Sequence, residues 1–146
     1  MSPAPGRTQL RVVLDTNLYV AAFGHPKGPS GRIWAAARDG RFQLLISRAI
    51  VIELARVLRE DFRWQEEHVQ RRLKGLVNVA EIVNSRTTVH TITADPSDNR
   101  ILECALDGKA DLVVSNDHHL LNLKVWEGIP IVAGPDFRRI LGIPPR

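Results

Sequence analysis

The chain has 146 residues, a formal net charge of +4 and a hydrophobic content of 44%, which predicts one globular domain, residues 1–146, with a flexible start at residues 1–8. No apolar run is long enough to span a membrane, and the single cysteine, Cys104, excludes an internal disulfide. No secretory signal is visible, so we expect a cytoplasmic protein.

Alternating strand and helix patterns fill the first half of the chain. In chain order we predict a strand at Leu10–Leu14, a helix at Ile33–Arg38, a strand at Phe42–Ile46, and helices at Ala49–Phe62 and from Glu66 to about Val83. The strands are apolar on both faces, which is typical of strands covered by helices on both sides of a parallel sheet.

The second half continues the alternation. The segment Thr87–Thr93 favours a strand, and after it we predict a helix at Ser97–Asp107, a strand at Asp111–Val114, a helix at His118–Leu123, a strand at Ile129–Val132 and a helix at Asp136–Leu141. Pro130 favours an edge position for its strand. The whole pattern predicts an α/β sandwich with a mostly parallel sheet.

Two acids follow strands closely. Asp15 comes directly after Leu10–Leu14, and Asp117 lies shortly after Asp111–Val114. If the two strands are parallel, both carboxylates project from the same edge of the sheet, which is where α/β proteins bind ligands. Asp117 also has an alternative role as the N-cap of the helix that follows it.

Two further acids lie on predicted helices. Glu53 falls on the apolar side of its helix, where a carboxylate needs a partner or a metal ion. The alternative is a boundary residue paired with Arg56, three positions later. Asp98 shares a face with core positions of its helix, but it also suits an acidic capping role beside Asp95.

Clustered carboxylates favour divalent cations. Mg²⁺ and Mn²⁺ prefer oxygen ligands, and such ions activate water and neutralise charge at a scissile phosphate. A site of this kind is typical of enzymes that act on phosphodiesters.

Five segments in this order resemble the PIN-domain family, in particular its compact VapC-type toxins. They are VVLDTNLYVAAF (Val12–Phe23), SRAIVIELARVL (Ser47–Leu58), DPSDNRILECAL (Asp95–Leu106), ADLVVSNDHHLL (Ala110–Leu121) and GIPIVAGPDFRRIL (Gly128–Leu141). The resemblance implies a three-layer α/β/α sandwich and a Mg²⁺- or Mn²⁺-dependent ribonuclease that holds one or two ions.

By this resemblance, four residues match the family's catalytic and metal-binding acids: Asp15, Glu53, Asp98 and Asp117. The supporting polar residues would be Thr16, Asn17, Asn116, Asp95 and His119. Many relatives carry a further Asp where this chain has His119, which leaves the number of ions open. The resemblance also implies an RNA substrate, a homodimer or higher homo-oligomer, and a small antitoxin protein as partner.

Two other functions stay open at this point. A phosphatase similar to the haloacid dehalogenases would use Asp15 as its nucleophile, but such enzymes normally need a second Asp where this chain has Asn17. A catalytically silent PIN-like module would bind RNA or a protein without cutting, and His119 is the feature in its favour. The sequence does not predict which RNA is recognised, because surface shape and loops decide that.

Overall fold

A six-stranded sheet forms the centre of the computed structural model, which describes residues 2–6 and 8–145. Its strands are β1 (Arg11–Leu14), β2 (Gln43–Ser47), β3 (Glu81–Val83), β4 (Leu112–Val114), β5 (Val125–Trp126) and β6 (Ile129–Val132). They lie in the order β3-β2-β1-β4-β6-β5, and only the β5–β6 pair is antiparallel. The predicted mostly parallel sheet is confirmed.

Helices flank this sheet. They are α1 (Thr16–Gly24), α2 (Pro29–Arg38), α3 (Arg48–Arg56), α4 (Glu66–Val79), α5 (Asp98–Asp107), α6 (His118–Leu121) and α7 (Gly134–Ile140), and α3 continues into one π-helical turn, Val57–Asp61. The α/β/α sandwich is thereby confirmed. Within residues 2–6 and 8–145, no helix has the length and apolar character needed to cross a membrane.

The core lies on both faces of the central strands. Consecutive residues of a strand point to opposite faces, yet Val12 and Val13 of β1 and Leu44 and Leu45 of β2 are all buried. Cys104 of α5 belongs to the same core, and burial raises the pKa of its free thiol to about 12. Helices therefore exclude water from both faces of the sheet.

The start of the chain departs from the predicted elements. Helix α1 was not predicted, because the apolar residues between Leu18 and Phe23 surround the helix and leave no polar face to reveal its period. Helix α2 begins at Pro29, four residues before the predicted start, since Pro is well suited to the first turn of a helix. Residues 2–6 and 8 form no helix or strand; residues 1 and 7, also predicted to be flexible, lie outside the described residues.

The predicted helix from Glu66 to about Val83 is wrong at its end. Helix α4 stops at Val79, and Glu81–Val83 form β3, which pairs in parallel with Leu45–Ser47 of β2. The side chain of Arg11 forms an ion pair with Glu81 at 2.7 Å. The β-branched residues Ile82 and Val83 suit a strand, and pairing with β2 outweighs local helix propensity.

The edge position expected for Pro130 is also wrong. Strand β6 lies between β4 and the two-residue strand β5. The amide of Ile131, next to Pro130, donates to the carbonyl of Lys124 at 2.8 Å. Strand β5 has only two residues, so it pairs with β6 without a hydrogen bond from the position of Pro130, which has no N–H group.

The strand expected at Thr87–Thr93 is absent from the structure, which has no regular element there. Three residues of α5, spaced four apart on one face, hold this segment instead: Asn99, Glu103 and Asp107. Their side chains accept hydrogen bonds of 2.7–2.9 Å from the backbone amides of Arg86, Thr87, Val89 and Ile92. The segment follows α5 because side chains satisfy the backbone groups that a neighbouring strand would otherwise bind.

Gly31 and Gly75 provide a matched test of packing in this fold. A Cβ at Gly31 of α2 would clash with the carbonyl group of Pro26 and lie 2.7 Å from the carbonyl oxygen of His25, whereas a Cβ at Gly75 of α4 would meet nothing within 4 Å. We expect Gly31→Ala to lower the free energy of unfolding by about 2 kcal/mol or more. Gly75→Ala should raise it by roughly 0.5–1 kcal/mol, because Ala favours a helix interior.

Urea denaturation followed by circular dichroism measures both changes. Equal effects of the two substitutions would contradict the close approach of the Pro26 carbonyl to α2.

Candidate metal centre at the carboxyl edge of the sheet

Strands β1 and β4 bring two of the predicted acids to one edge of the sheet. The strands are parallel neighbours, with Leu14 opposite Val114. The amide of Asp15 donates to the carbonyl of Val114 at 2.9 Å, so the register continues to the first residue after β1. Asp15 and Asp117 therefore both lie at the carboxyl edge, as their positions after the two strands predict.

Ser115 links these two acids and was not assigned a role from the sequence. Its hydroxyl donates to Asp15 Oδ2 at 2.8 Å and accepts from the amide of Asp117 at 2.9 Å. Ser115 is completely buried. The available signal was its place directly after a buried strand, at the same level of the sheet as Asp15.

Asp98 is the third acid of this group. It is the first residue of α5, only 6% of its surface is exposed, and its Oδ2 atom is buried with no hydrogen-bond partner among the described residues. Burial, together with the charges of Asp15, Asp117 and Asp95, raises the pKa of Asp98 to about 7. The predicted orientation of Asp98 toward the interior is confirmed.

The pKa of Asp15 is raised for similar reasons. Burial is the largest cause that raises its pKa, and the charge of Asp117 adds to it, while the Ser115 hydroxyl and the amides of Thr16 and Asn17 lower it. The negative charge at this edge is therefore only partly compensated by hydrogen bonds.

The carboxylate cluster, defined here as Asp15, Asp98 and Asp117, fits a hard divalent cation. Carboxylate oxygens are the donors that Mg²⁺ and Mn²⁺ prefer. Among the described residues, no donor reaches the buried Oδ2 of Asp98. A cation would satisfy this oxygen and offset the burial and the repulsion that raise the pKa values of Asp98 and Asp15.

Glu53 has a different partner in the structure. Its carboxylate accepts hydrogen bonds from Arg56 at 2.7 and 3.2 Å, and Arg56 also forms an ion pair with Glu60. This is the alternative that the spacing of Glu53 and Arg56 on one helix left open. That Glu53 binds a metal ion stays a prediction.

The capping alternative is visible for Asp117 but is wrong for Asp95, because the N-cap of α5 is Ser97. Asp95 is exposed, and its Oδ1 accepts from the amide and the hydroxyl of Ser97 in the turn before α5. Asp117 is the N-cap of α6, with Oδ1 accepting from the amide of His119 at 2.7 Å. Capping and ion binding are compatible in Asp117, because a carboxylate has a second oxygen.

The other predicted supporting residues lie around the cluster. Thr16 is half-buried and Asn17 is exposed at the start of α1. Asn116 is exposed, and its Oδ1 accepts from the amide of Gly134 at 2.9 Å. Asn116 thus joins the loop after β4 to the first residue of α7.

An open groove lies beside this edge of the sheet. Its volume is about 910 Å³, and it is lined by residues 24–30 and by Ala21, Asn116, Pro135 and Arg138. Lys27 and Arg138 give it positive charge, and neither has a carboxylate partner within residues 2–6 and 8–145. The groove can therefore accept an anionic chain, and its lining residue Asn116 lies between Ser115 and Asp117 in the sequence.

Comparisons with known proteins agree with this architecture. A family model described as PIN domain matches residues 11–119. A protein from Methanocaldococcus jannaschii, described as uncharacterized protein MJ1680, is 25% identical over 123 residues, which are 81% of this chain and 77% of that protein.

Two solved structures share the fold. A chain in the crystal structure of VapBC2 from Rickettsia felis, bound to a DNA fragment from the promoter, aligns with a TM-score of 0.58 and 16% identity over 85% of this chain and 98% of its own length. A chain in DNA-bound VapBC from Salmonella typhimurium aligns with a TM-score of 0.61 and 19% identity over 86% and 99%.

The raised pKa of Asp98 gives a testable pH dependence in metal-free protein. The folded state holds the Asp98 proton more tightly than the unfolded state, so ionisation costs stability. With a chelator present, we expect this acid to lower the free energy of unfolding as pH rises from the pKa of an unfolded Asp, about 4, to the pKa of folded Asp98, about 7. The expected loss is about 1–2 kcal/mol between about pH 4 and pH 7. This is less than the full pKa shift implies, because water screens the charges at the edge of the sheet.

Asp98→Asn should remove this part of the slope, while the exposed Asp136→Asn should leave it unchanged. Urea titrations at several pH values measure the difference. The same slope in wild type and Asp98→Asn would contradict the raised pKa. Adding Mn²⁺ at the higher pH should restore stability to wild type.

Proposed function

This chain belongs to the PIN domain family, and on that premise we propose that it is a Mg²⁺- or Mn²⁺-dependent endoribonuclease that acts in the cytoplasm. The observation that carries the proposal is the buried Asp98 Oδ2, which has no partner among the described residues and feels the charges of Asp15 and Asp117. Concentrated acids with an unsatisfied oxygen are the arrangement that a bound cation stabilises.

The side chains have distinct roles in this proposal. Asp15, Asp98 and Asp117 hold the ions, and the Ser115 hydroxyl keeps Asp15 in one orientation through its 2.8 Å hydrogen bond. Glu53 joins them as the fourth catalytic acid when its ion pair with Arg56 opens. When bound, the ions supply an activated water and neutralise charge at the scissile phosphate.

The polar residues near the cluster position these groups. Thr16 and Asn17 provide backbone amides that lower the pKa of Asp15 and so offset part of the effect of burial. Asn116 holds the start of α7 through Gly134, and α7 carries Arg138. The lining of the groove is thereby fixed relative to the carboxylates.

The substrate in this proposal is RNA, as the family resemblance implies. A nucleic acid strand needs cations along its phosphates, and the groove beside the cluster is lined by Lys27, His25 and Arg138. Arg138 lies near Asn116, because both side chains approach the same point next to Gly134. We expect a strand in the groove to pass near the carboxylates, because Asn116 lines the groove and precedes Asp117 in the chain.

We also propose that the chain is the toxin of a toxin–antitoxin pair and forms a homodimer or higher homo-oligomer. The VapBC structures with the same fold support an antitoxin protein as its partner. Three large apolar side chains are exposed on α3, the end of its π-helical turn and α4: Ile52, Phe62 and Val77. Exposed apolar side chains that lie together are typical of protein contacts, and these three are the residues that we propose for such a contact.

Cleavage of a mixed pool of labelled RNAs tests the nuclease. We expect fragments with Mg²⁺ or Mn²⁺, none with chelator, and at least about a hundredfold loss of rate in Asp15→Asn. The substitution should leave the fold as stable as wild type or more stable, because it removes one of the repelling charges. The exposed acid Asp136 serves as control, and Asp136→Asn should cut at the wild-type rate.

Two outcomes would change the proposal. Normal cutting by Asp15→Asn would remove this residue from the catalytic site. RNA that is retained but never cut by the folded wild type, at any metal concentration, would favour the catalytically silent module that binds RNA or protein.

The groove is tested by two neighbouring arginines. Arg138 lines the groove, whereas Arg139 is exposed and forms an ion pair with Asp136. We expect Arg138→Ala to raise KM severalfold with little change in kcat. The slope of log(kcat/KM) against log salt concentration should also decrease by roughly the amount expected for one phosphate contact. Arg139→Ala should change neither. Equal effects of the two substitutions on KM would refute the groove as the path of the strand.

A further inference from the structure

Two histidines extend the carboxylate cluster on its solvent side. Asp117, His118 and His119 each offer one ligand atom, and these three atoms lie within 4.8 Å of one another. Two donors on one ion, each about 2.0–2.2 Å from it, are at most about 4.4 Å apart. Three donors cannot all lie on opposite sides of an ion, so the side chains must rotate toward one another to place all three atoms on a single ion.

The donor atoms of this group are available. Within residues 2–6 and 8–145, neither imidazole makes a hydrogen bond or an ion pair with a protein group. The two rings lie against each other, with centroids 4.0 Å apart. Asp117 uses Oδ1 to cap α6, which leaves Oδ2 free of that contact. His118 is exposed and the other two are half-buried, so an ion can enter from solvent.

The backbone under these side chains is fixed. The amide of Asp117 donates to the buried Ser115 hydroxyl at 2.9 Å, and the amide of His119 donates to Asp117 at 2.7 Å. The three residues are consecutive, so ordering the site closes no long loop and only side-chain rotations remain to be restricted.

We propose that Asp117, His118 and His119 form a second cation site that takes a borderline transition-metal ion, Zn²⁺ or Co²⁺, in preference to Mg²⁺. Two imidazoles and one carboxylate are a donor set found at zinc and non-haem iron sites, whereas Mg²⁺ prefers oxygen alone. The inference rests on the proposed function for its role, because Asp117 also belongs to the carboxylate cluster.

Sharing Asp117 couples the two sites. A carboxylate has two oxygens and can serve two neighbouring ions, so the histidines give the second position a different metal preference from the first. An Asp at position 119 would instead make both positions oxygen-rich. His119 thus determines which ion is selected and does not abolish ion binding.

Titration of untagged protein with Zn²⁺ by calorimetry, and with Co²⁺ by visible absorption, tests this site. We expect His118→Ala and His119→Ala each to weaken Zn²⁺ binding by about tenfold or more and to change the Co²⁺ spectrum. His90→Ala, an exposed histidine on the segment before α5, is the matched control and should bind as wild type does. Unchanged Zn²⁺ affinity in both histidine variants would overturn the proposal.

His119→Asp tests selectivity without removing a ligand. It should weaken Zn²⁺ binding and strengthen Mg²⁺ binding, and a Zn²⁺-to-Mg²⁺ preference equal to that of wild type would refute the assignment of His119. Circular dichroism establishes that each variant is folded.

The same titrations separate this inference from the nuclease. Asp15→Asn removes a carboxylate that the histidine site does not use, so it should retain histidine-dependent Zn²⁺ binding. If that binding is present but wild type cuts no RNA, the cation site stands and the proposed function falls. If RNA is cut while Zn²⁺ binding is independent of His118 and His119, the nuclease stands and the second site falls.

Discussion

Repulsion among carboxylates at one edge of the sheet is the constraint on which the rest of the site depends. Parallel pairing of β1 with β4 places Asp15 next to the segment that carries Asp117, and α5 begins with Asp98 beside them. Burial and neighbouring charge raise the pKa values of Asp15 and Asp98. The Ser115 hydroxyl offsets part of this cost, and a cation would offset the rest. The clustered negative charge therefore favours the binding of a divalent cation.

Helix α5 connects the carboxylate cluster to the rest of the fold. Its first residue is Asp98, while Asn99, Glu103 and Asp107 hold the irregular segment that precedes the helix. Glu103 is itself buried and forms an ion pair with Arg100 at 2.8 Å. One helix thus orders the chain that leads into the site and also supplies an acid to it.

Local pattern revealed the central strands and the edge position of Asp15 and Asp117, because both follow from apolar runs that end in polar residues. Contacts between distant residues were not readable in this way. The Ser115–Asp15 hydrogen bond joins residues 100 positions apart, and β3 exists because β2 offers it an edge to pair with. For Glu53, spacing allowed either a metal ligand or the Arg56 partner, and only the folded chain supplies the ion pair.

Cys104 gives this arrangement an internal reporter. The thiol is completely buried on α5, and its raised pKa keeps it in the unreactive protonated form. A thiol reagent can modify it only when α5 separates from the sheet, so the labelling rate measures how often that opening occurs. Cys104 is the chain's only cysteine, and the same helix begins at Asp98. The labelling rate of this one thiol therefore reports on the packing of the helix that supplies an acid to the carboxylate cluster.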